Sequence, residues 1–174
     1  MKRSFGGLTG GTGDVNPQWL AIRVTESAAD TTTTQAQSIP IQRLQDRAHK
    51  AQVMEVLKVV FTSNTFPEVD AGVTMFLTTR NFGTTAVATN EPSIIAFYQT
   101  AVRLTTSGQY FAQAPYIWDV TDGAGHGLLV ATDQVFFQIQ SATTGVAVVG
   151  DCRILYRWKN VSIEEYVGIV QSQQ

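Results

Sequence analysis

Residues 152–159 read Cys152-Arg153-Ile154-Leu155-Tyr156-Arg157-Trp158-Lys159. Successive side chains of a β-strand point to opposite faces, so this octapeptide divides into two sets. Cys152, Ile154, Tyr156 and Trp158 form one face and read as packing. Arg153, Leu155, Arg157 and Lys159 form the other, a stripe carrying three of the chain's twelve Lys and Arg residues. Side chains two apart on a strand lie roughly 6.6 Å apart, a spacing comparable to that of nucleic-acid phosphates. The stripe therefore has two readings. It contacts a polyanion backbone, or it is a solvated and ion-paired surface with Glu164 and Glu165 as neighbours.

Outward from this strand the same period of two recurs. Leu20, Ile22 and Val24 alternate with Ala21, Arg23 and Thr25 over residues 18–25. Residues 31–34 are β-branched and polar and suit an exposed strand or loop. The run AQVMEVLKVVFT at 51–62 predicts a long strand buried on most of both faces, because Val53, Val56, Val59, Val60 and Phe61 favour strand over helix. Further strands are predicted at 72–80, 93–104, 114–120, 127–132, 134–141 and 145–159. Gly-, Asn-, Asp- and Pro-bearing turns separate them, as at Asn81 to Gly83, Asn90 to Pro92 and Asp122 to Gly127. Ile41, Leu44 and Ala48 leave 39–50 open between a short helix and an irregular crossing. A helical turn is expected at Ser162 to Glu165, with Ser162 as cap.

Short strands at regular spacing without βαβ alternation predict an all-β sandwich or barrel. A chain of 174 residues is long for a seven-strand immunoglobulin sandwich. An eight-stranded antiparallel jelly roll over residues 17–166 is the expectation. A flexible N-terminal arm precedes it over 1–16, where Gly6, Gly7, Gly10, Gly11 and Gly13 crowd. A tail follows at 167–174, and its Val167, Gly168, Ile169 and Val170 are candidates for tethering subunits.

Charged residues make up only 15% of the chain and apolar ones 44%, against about 25% charged in an average soluble protein. A sparsely charged surface suits a protein covered by partners, and equally a Thr/Gln/Ser-rich soluble domain. With a net charge of −2, attraction to a polyanion has to come from a local patch. A weaker basic group, Arg43, Arg47, His49 and Lys50, is diluted by Asp46. A lone cysteine, Cys152, excludes a disulfide framework and a multi-Cys zinc site. No apolar run suits a signal peptide or a membrane span.

The run CRILYRWKNVSIEEYVGIVQSQQ, residues 152–174, resembles the last strand and tail of single jelly-roll capsid proteins of small icosahedral viruses, particularly those of environmental circular single-stranded DNA viruses. What the resemblance implies is self-assembly into an icosahedral shell, virion localisation, enclosure of a genome and room for a second virion protein. Many such proteins begin with a long Arg/Lys-rich arm, whereas only Lys2 and Arg3 precede the glycines here. Lys2, Arg3, Arg153, Arg157 and Lys159 are therefore the candidate nucleic-acid contacts, with genome neutralisation shifted toward the inner sheet face or counterions.

No catalytic constellation is evident, so the protein is expected not to be an enzyme and to carry no cofactor. His49 and His126 are far apart. Asp119 and Asp122 lack EF-hand spacing. The glycines at 6–13 lack the GK[ST] ending of a phosphate loop. Glu164 and Glu165 are adjacent and point apart. The rival to a shell subunit is a carbohydrate- or receptor-binding β-sandwich forming a discrete oligomer, with its site in the loops around Asp119 to His126.

Overall fold

The protein is described by a computed structural model covering residues 16–39, 50–63, 71–102 and 115–173. Nine strands are present among these residues: β1 (Gln18–Thr25), β2 (Thr32–Ser38), β3 (Lys50–Ser63), β4 (Ala71–Thr78), β5 (Ile94–Val102), β6 (Tyr116–Asp119), β7 (Leu128–Val130), β8 (Gln134–Ala142) and β9 (Val149–Ser162). One helix follows, α1 (Ile163–Ser172). The strands form two sheets, ordered β1-β9-β3-β6 with β7 also on β3, and β2-β8-β4-β5. All pairings are antiparallel. Apart from the β4–β5 hairpin and the successive β6 and β7, the chain crosses from one sheet to the other at each step, as in a jelly roll. Nine strands are seen against the eight of the expected jelly roll; the segments predicted at 114–120 and 127–132 are the separate strands β6 and β7, and both lie beside β3. β6 pairs with Lys58–Phe61 and β7 with Met54–Val56, and the turn between them leaves the sheet.

The alternation of β9 determines the core. Cys152, Ile154, Tyr156 and Trp158 are all buried, and their partners on β3 are Phe61, Val59, Val56 and Met54. These meet Val73, Met75, Leu77, Val135, Phe137 and Ile139 of the opposite sheet. One side of the sandwich is closed by aromatic contacts. Tyr98 of β5 stacks on Tyr116 of β6 at 4.8 Å, and Phe97 lies 5.1 Å from Trp118. The solitary cysteine is fully buried, and burial pushes its thiol far above the usual range, which suits a packing residue rather than a nucleophile.

The long β3 is buried on its inner face over residues 54–63 and on its outer face at Val53 and Glu55, with Lys58, Val60 and Thr62 half-buried beyond, and the outer cover comes from two places. At one end α1 lays Tyr166, Ile169 and Val170 over Val53, Ala131 and Val161. Further along, the turn after β6 folds onto Glu55. The helix starts where expected, with the Ser162 hydroxyl accepting from the Glu165 N–H, but it runs on for ten residues. The boundary expected at 166/167 therefore falls inside a helix. Its far end is fastened by Gln173, whose side-chain oxygen accepts from the Ala131 N–H while its side-chain nitrogen donates to the Leu129 carbonyl. An amide side chain thereby satisfies the open edge of β7 much as another strand would. The arm at 1–15, with Lys2 and Arg3, and residues 40–49, with Arg43, Arg47 and His49, lie outside the described residues.

Candidate functional site

The basic stripe lies on the outer face of the β1-β9-β3-β6 sheet, and its three cations have different surroundings. Arg157 faces Glu55 across the β9–β3 register. Its Nε donates to Glu55 Oε2 at 2.5 Å, and its Nη2 reaches the Gly125 carbonyl at 3.3 Å. Lys159 Nζ stands 3.8 Å from Glu55 Oε1. Arg153 is different: it is exposed and lies over the Trp19 ring at 4.7 Å, a cation–π pair across the β1–β9 boundary.

Glu55 is 0% exposed, an unusual setting for a carboxylate. Burial pushes its pKa up. The Arg157 hydrogen bond, the Gly127 N–H at 2.9 Å and the charges of Arg157 and Lys159 outweigh that, so it stays below its ordinary value. The sequence supplies the cover through glycine. Gly127 passes so close to β3 that a Cβ there would lie 2.0 Å from the Val56 carbonyl oxygen. Gly125 takes φ +82°, a left-handed conformation that favours glycine. Gly127→Ala is expected to force the turn off Glu55 and cost about 2–3 kcal/mol, read as a lower urea midpoint with an unchanged slope. A loss under about 0.5 kcal/mol would mean that the turn has room to move.

The stripe is thus partly a structural network, and its acid is Glu55 rather than the Glu164 and Glu165 expected as neighbours. Glu55 was overlooked because only the β3–β9 register brings it to Arg157. The one signal in the sequence was a single acid inside AQVMEVLKVVFT, a run predicted to be buried on both faces; such an acid requires cations. Trp19 was likewise missed as a functional residue, since its partner is set by the β1–β9 pairing.

The other sequence candidates separate. Asp122 Oδ1 accepts from the Ala124 and His126 N–H groups, and its Oδ2 lies 3.1 Å from His126 Nδ1. The His126 N–H first, then the His126 ring, hold the Asp122 carboxyl below its usual range. Asp119 Oδ1 is taken by the hydroxyl and N–H of Thr121. These carboxylates order their own turn. Among the described residues no three His, Cys, Asp or Glu side chains group as metal ligands. Of the tethering candidates, Ile169 and Val170 pack on the chain's own sheet, whereas Val167 is 45% exposed and has Ile163 beside it one turn earlier at 47%. Gly168 lies in the same helix, and a Cβ there would meet nothing within 4 Å. No helix among the described residues is long and apolar enough to cross a membrane.

No family model and no curated protein matches the sequence. Solved structures do match the fold. VP1 of Merkel cell polyomavirus in complex with disialyllactose aligns with a TM-score of 0.56 at 9% identity, covering 87% of this chain and 97% of that one. VP1 of trichodysplasia spinulosa-associated polyomavirus in complex with GM1 oligosaccharide gives 0.56 at 10% identity, with 87% and 97% covered. VP1 of human polyomavirus 12 in complex with 3'-sialyllactosamine gives 0.53 at 9% identity, with 83% and 100% covered. At these identities the likeness concerns the fold, and the chain has the two-sheet jelly-roll fold seen in polyomavirus VP1.

Proposed function

We propose that this chain is a structural subunit of a viral capsid, assembling with copies of itself into a closed shell around a nucleic-acid genome. One observation carries the reading: the β1-β9-β3-β6 and β2-β8-β4-β5 jelly roll aligns along nearly the whole length of VP1 structures. A VP1 structure of this fold is described as an unassembled pentamer, so a small ring is a reasonable assembly unit for this chain too. The sparse surface charge fits a protein whose sides are covered by neighbours. The terminal run resembling coat proteins of environmental circular single-stranded DNA viruses points the same way. In this reading the protein has no catalytic role. Each contact between subunits is weak, and closure sums many of them.

Of the candidates Lys2, Arg3, Arg153, Arg157 and Lys159, genome contact in this reading comes from Lys2, Arg3 and Lys159, whose ammonium stands 3.8 Å from Glu55 and is only partly neutralised by it. Changing Lys2, Arg3 and Lys159 together to Gln is expected to lower the log–log salt slope of nucleic-acid retention by about 2–3, at slightly under one unit per phosphate contact. Arg157 stays in place because Glu55 depends on it. An unchanged slope would assign these cations no phosphate contact.

The test of the shell is mass. Protein purified without nuclease is expected to elute as a megadalton species by chromatography with light scattering, with excess absorbance at 260 nm if nucleic acid is enclosed. The rival, a carbohydrate- or receptor-binding module, is kept in view by the sialylated oligosaccharides bound to VP1 in several of the similar structures. It predicts a discrete small oligomer and no larger species across salt and pH.

A further inference from the structure

Away from α1 and the Glu55 turn, the outer face of the β1-β9-β3-β6 sheet is uncovered among the described residues. Trp19 is 46% exposed and Ile117 58%, and both stand on regular strands rather than loops. The register places Trp19 opposite Leu155, and Val60 between Arg153 and Ile117, so the apolar side chains form one patch with Arg153 inside it. The other cations of this face have acids: Arg23 holds Asp151 in a two-point contact, Arg157 and Lys159 share Glu55, and Lys58 faces Asp119. Among the described residues Arg153 has no acid and lies over the Trp19 ring. A Trp and an Arg in contact within an apolar patch have the composition of an interface hot spot. The complementary surface is on the same molecule. The exposed edge of α1 presents Ile163 and Val167 with the acid Glu164 next to them, and there is no basic residue in the last turn of the helix.

We propose that this face docks a second copy of the chain, whose α1 edge covers Trp19 and Ile117 and whose Glu164 meets Arg153. The inference rests on the self-assembly reading above and names the surface through which it proceeds. The argument for a copy is complementarity: an apolar patch whose cation has no acid among the described residues matches an apolar ridge flanked by the acid Glu164, and every subunit carries both. Patch and helix both lie on the outer face of the one sheet, so two copies can meet face to face about a two-fold axis and exchange the contact, the patch of each covered by the α1 edge of the other. Nucleic acid is the alternative occupant, since phosphates would seek Arg153 and a base would stack on Trp19. It is disfavoured because Asp151, Glu55 and Asp119 neutralise most of the surrounding face.

Charge exchange tests the contact. Arg153→Glu is expected to raise the concentration needed for assembly tenfold or more, and Glu164→Lys to do the same. Both changes together should restore assembly to within about threefold of the parent. Mixing an Ile117→Cys chain with a Val167→Cys chain under oxidation should give a mixed disulfide dimer, with buried Cys152 silent. If Arg153→Glu and Trp19→Ala chains assemble as the parent does, this surface is wrong while the shell reading stands. If Arg153→Glu loses nucleic acid and keeps its assembly, the occupant is nucleic acid. If the parent chain stays monomeric at every salt and pH, the shell reading and this inference fall together.

Discussion

Phe61→Ala is expected to lower the free energy of unfolding by about 3–5 kcal/mol. The side chain is fully buried where the two sheets meet. Its ring is stacked 6.5 Å from Tyr98 and lies 6.0 Å from Phe137 of the opposite sheet. Removing it deletes the transfer energy of a large apolar group and leaves a void that β-sheets on both sides are too stiff to fill. With total stability of about 5–15 kcal/mol for a domain, the variant would sit near the threshold of folding. Urea unfolding of the dissociated chain checks this, with a midpoint lower by about 2 M if the slope is about 2 kcal/mol per M. A loss below about 1 kcal/mol would mean that the sheets do not meet at Phe61.

Arg157→Ala is expected to cost about 3–5 kcal/mol near neutral pH, more than any ordinary surface substitution. Most of that is not the worth of an ion pair. It is the penalty of leaving Glu55, buried on all sides, with only Lys159 at 3.8 Å and the Gly127 N–H. The sign of the pH dependence follows. In the parent chain Glu55 is held below its ordinary value, so its contribution is complete above the unfolded carboxyl pKa of about 4.3 and is lost as pH falls through the lower folded value. In Arg157→Ala burial is opposed only by the Gly127 N–H and the charge of Lys159, and the folded carboxyl is expected to rise above the unfolded one. That variant is penalised above about pH 4.3 and relieved as the acid protonates. The gap between the two proteins should therefore narrow as pH falls from 7 toward 4. Adding Glu55→Gln to Arg157→Ala should recover at least about half of the loss at pH 7. A gap independent of pH would place the cost in lost packing of the Arg157 stem.

The extent to which the sequence disclosed this molecule depends on the range of each interaction. Strand positions were legible because alternation is local: Cys152, Ile154, Tyr156 and Trp158 are buried as their spacing predicts. The Ser162 cap was legible for the same reason. The length of α1 was not, since Glu164 to Ser172 gains its helix from burying Tyr166, Ile169 and Val170 on a sheet that assembles from distant strands. The site was half legible. The stripe lies where its period of two puts it, but its charge balance is fixed by Glu55, about a hundred residues earlier, and by a turn that only Gly127 lets approach. The two short strands on either side of the Asp122 to Gly127 turn were legible too, but not that both pair with β3, a partner more than fifty residues earlier.

Electron microscopy of the assembled fraction tests the central claim most directly. Protein purified at neutral pH is expected to show closed, uniform shells whose class averages resolve repeating rings of subunits. A field of discrete particles no larger than a trimer or pentamer, unchanged across salt, pH and concentration, would contradict the claim and leave a binding module on the same fold.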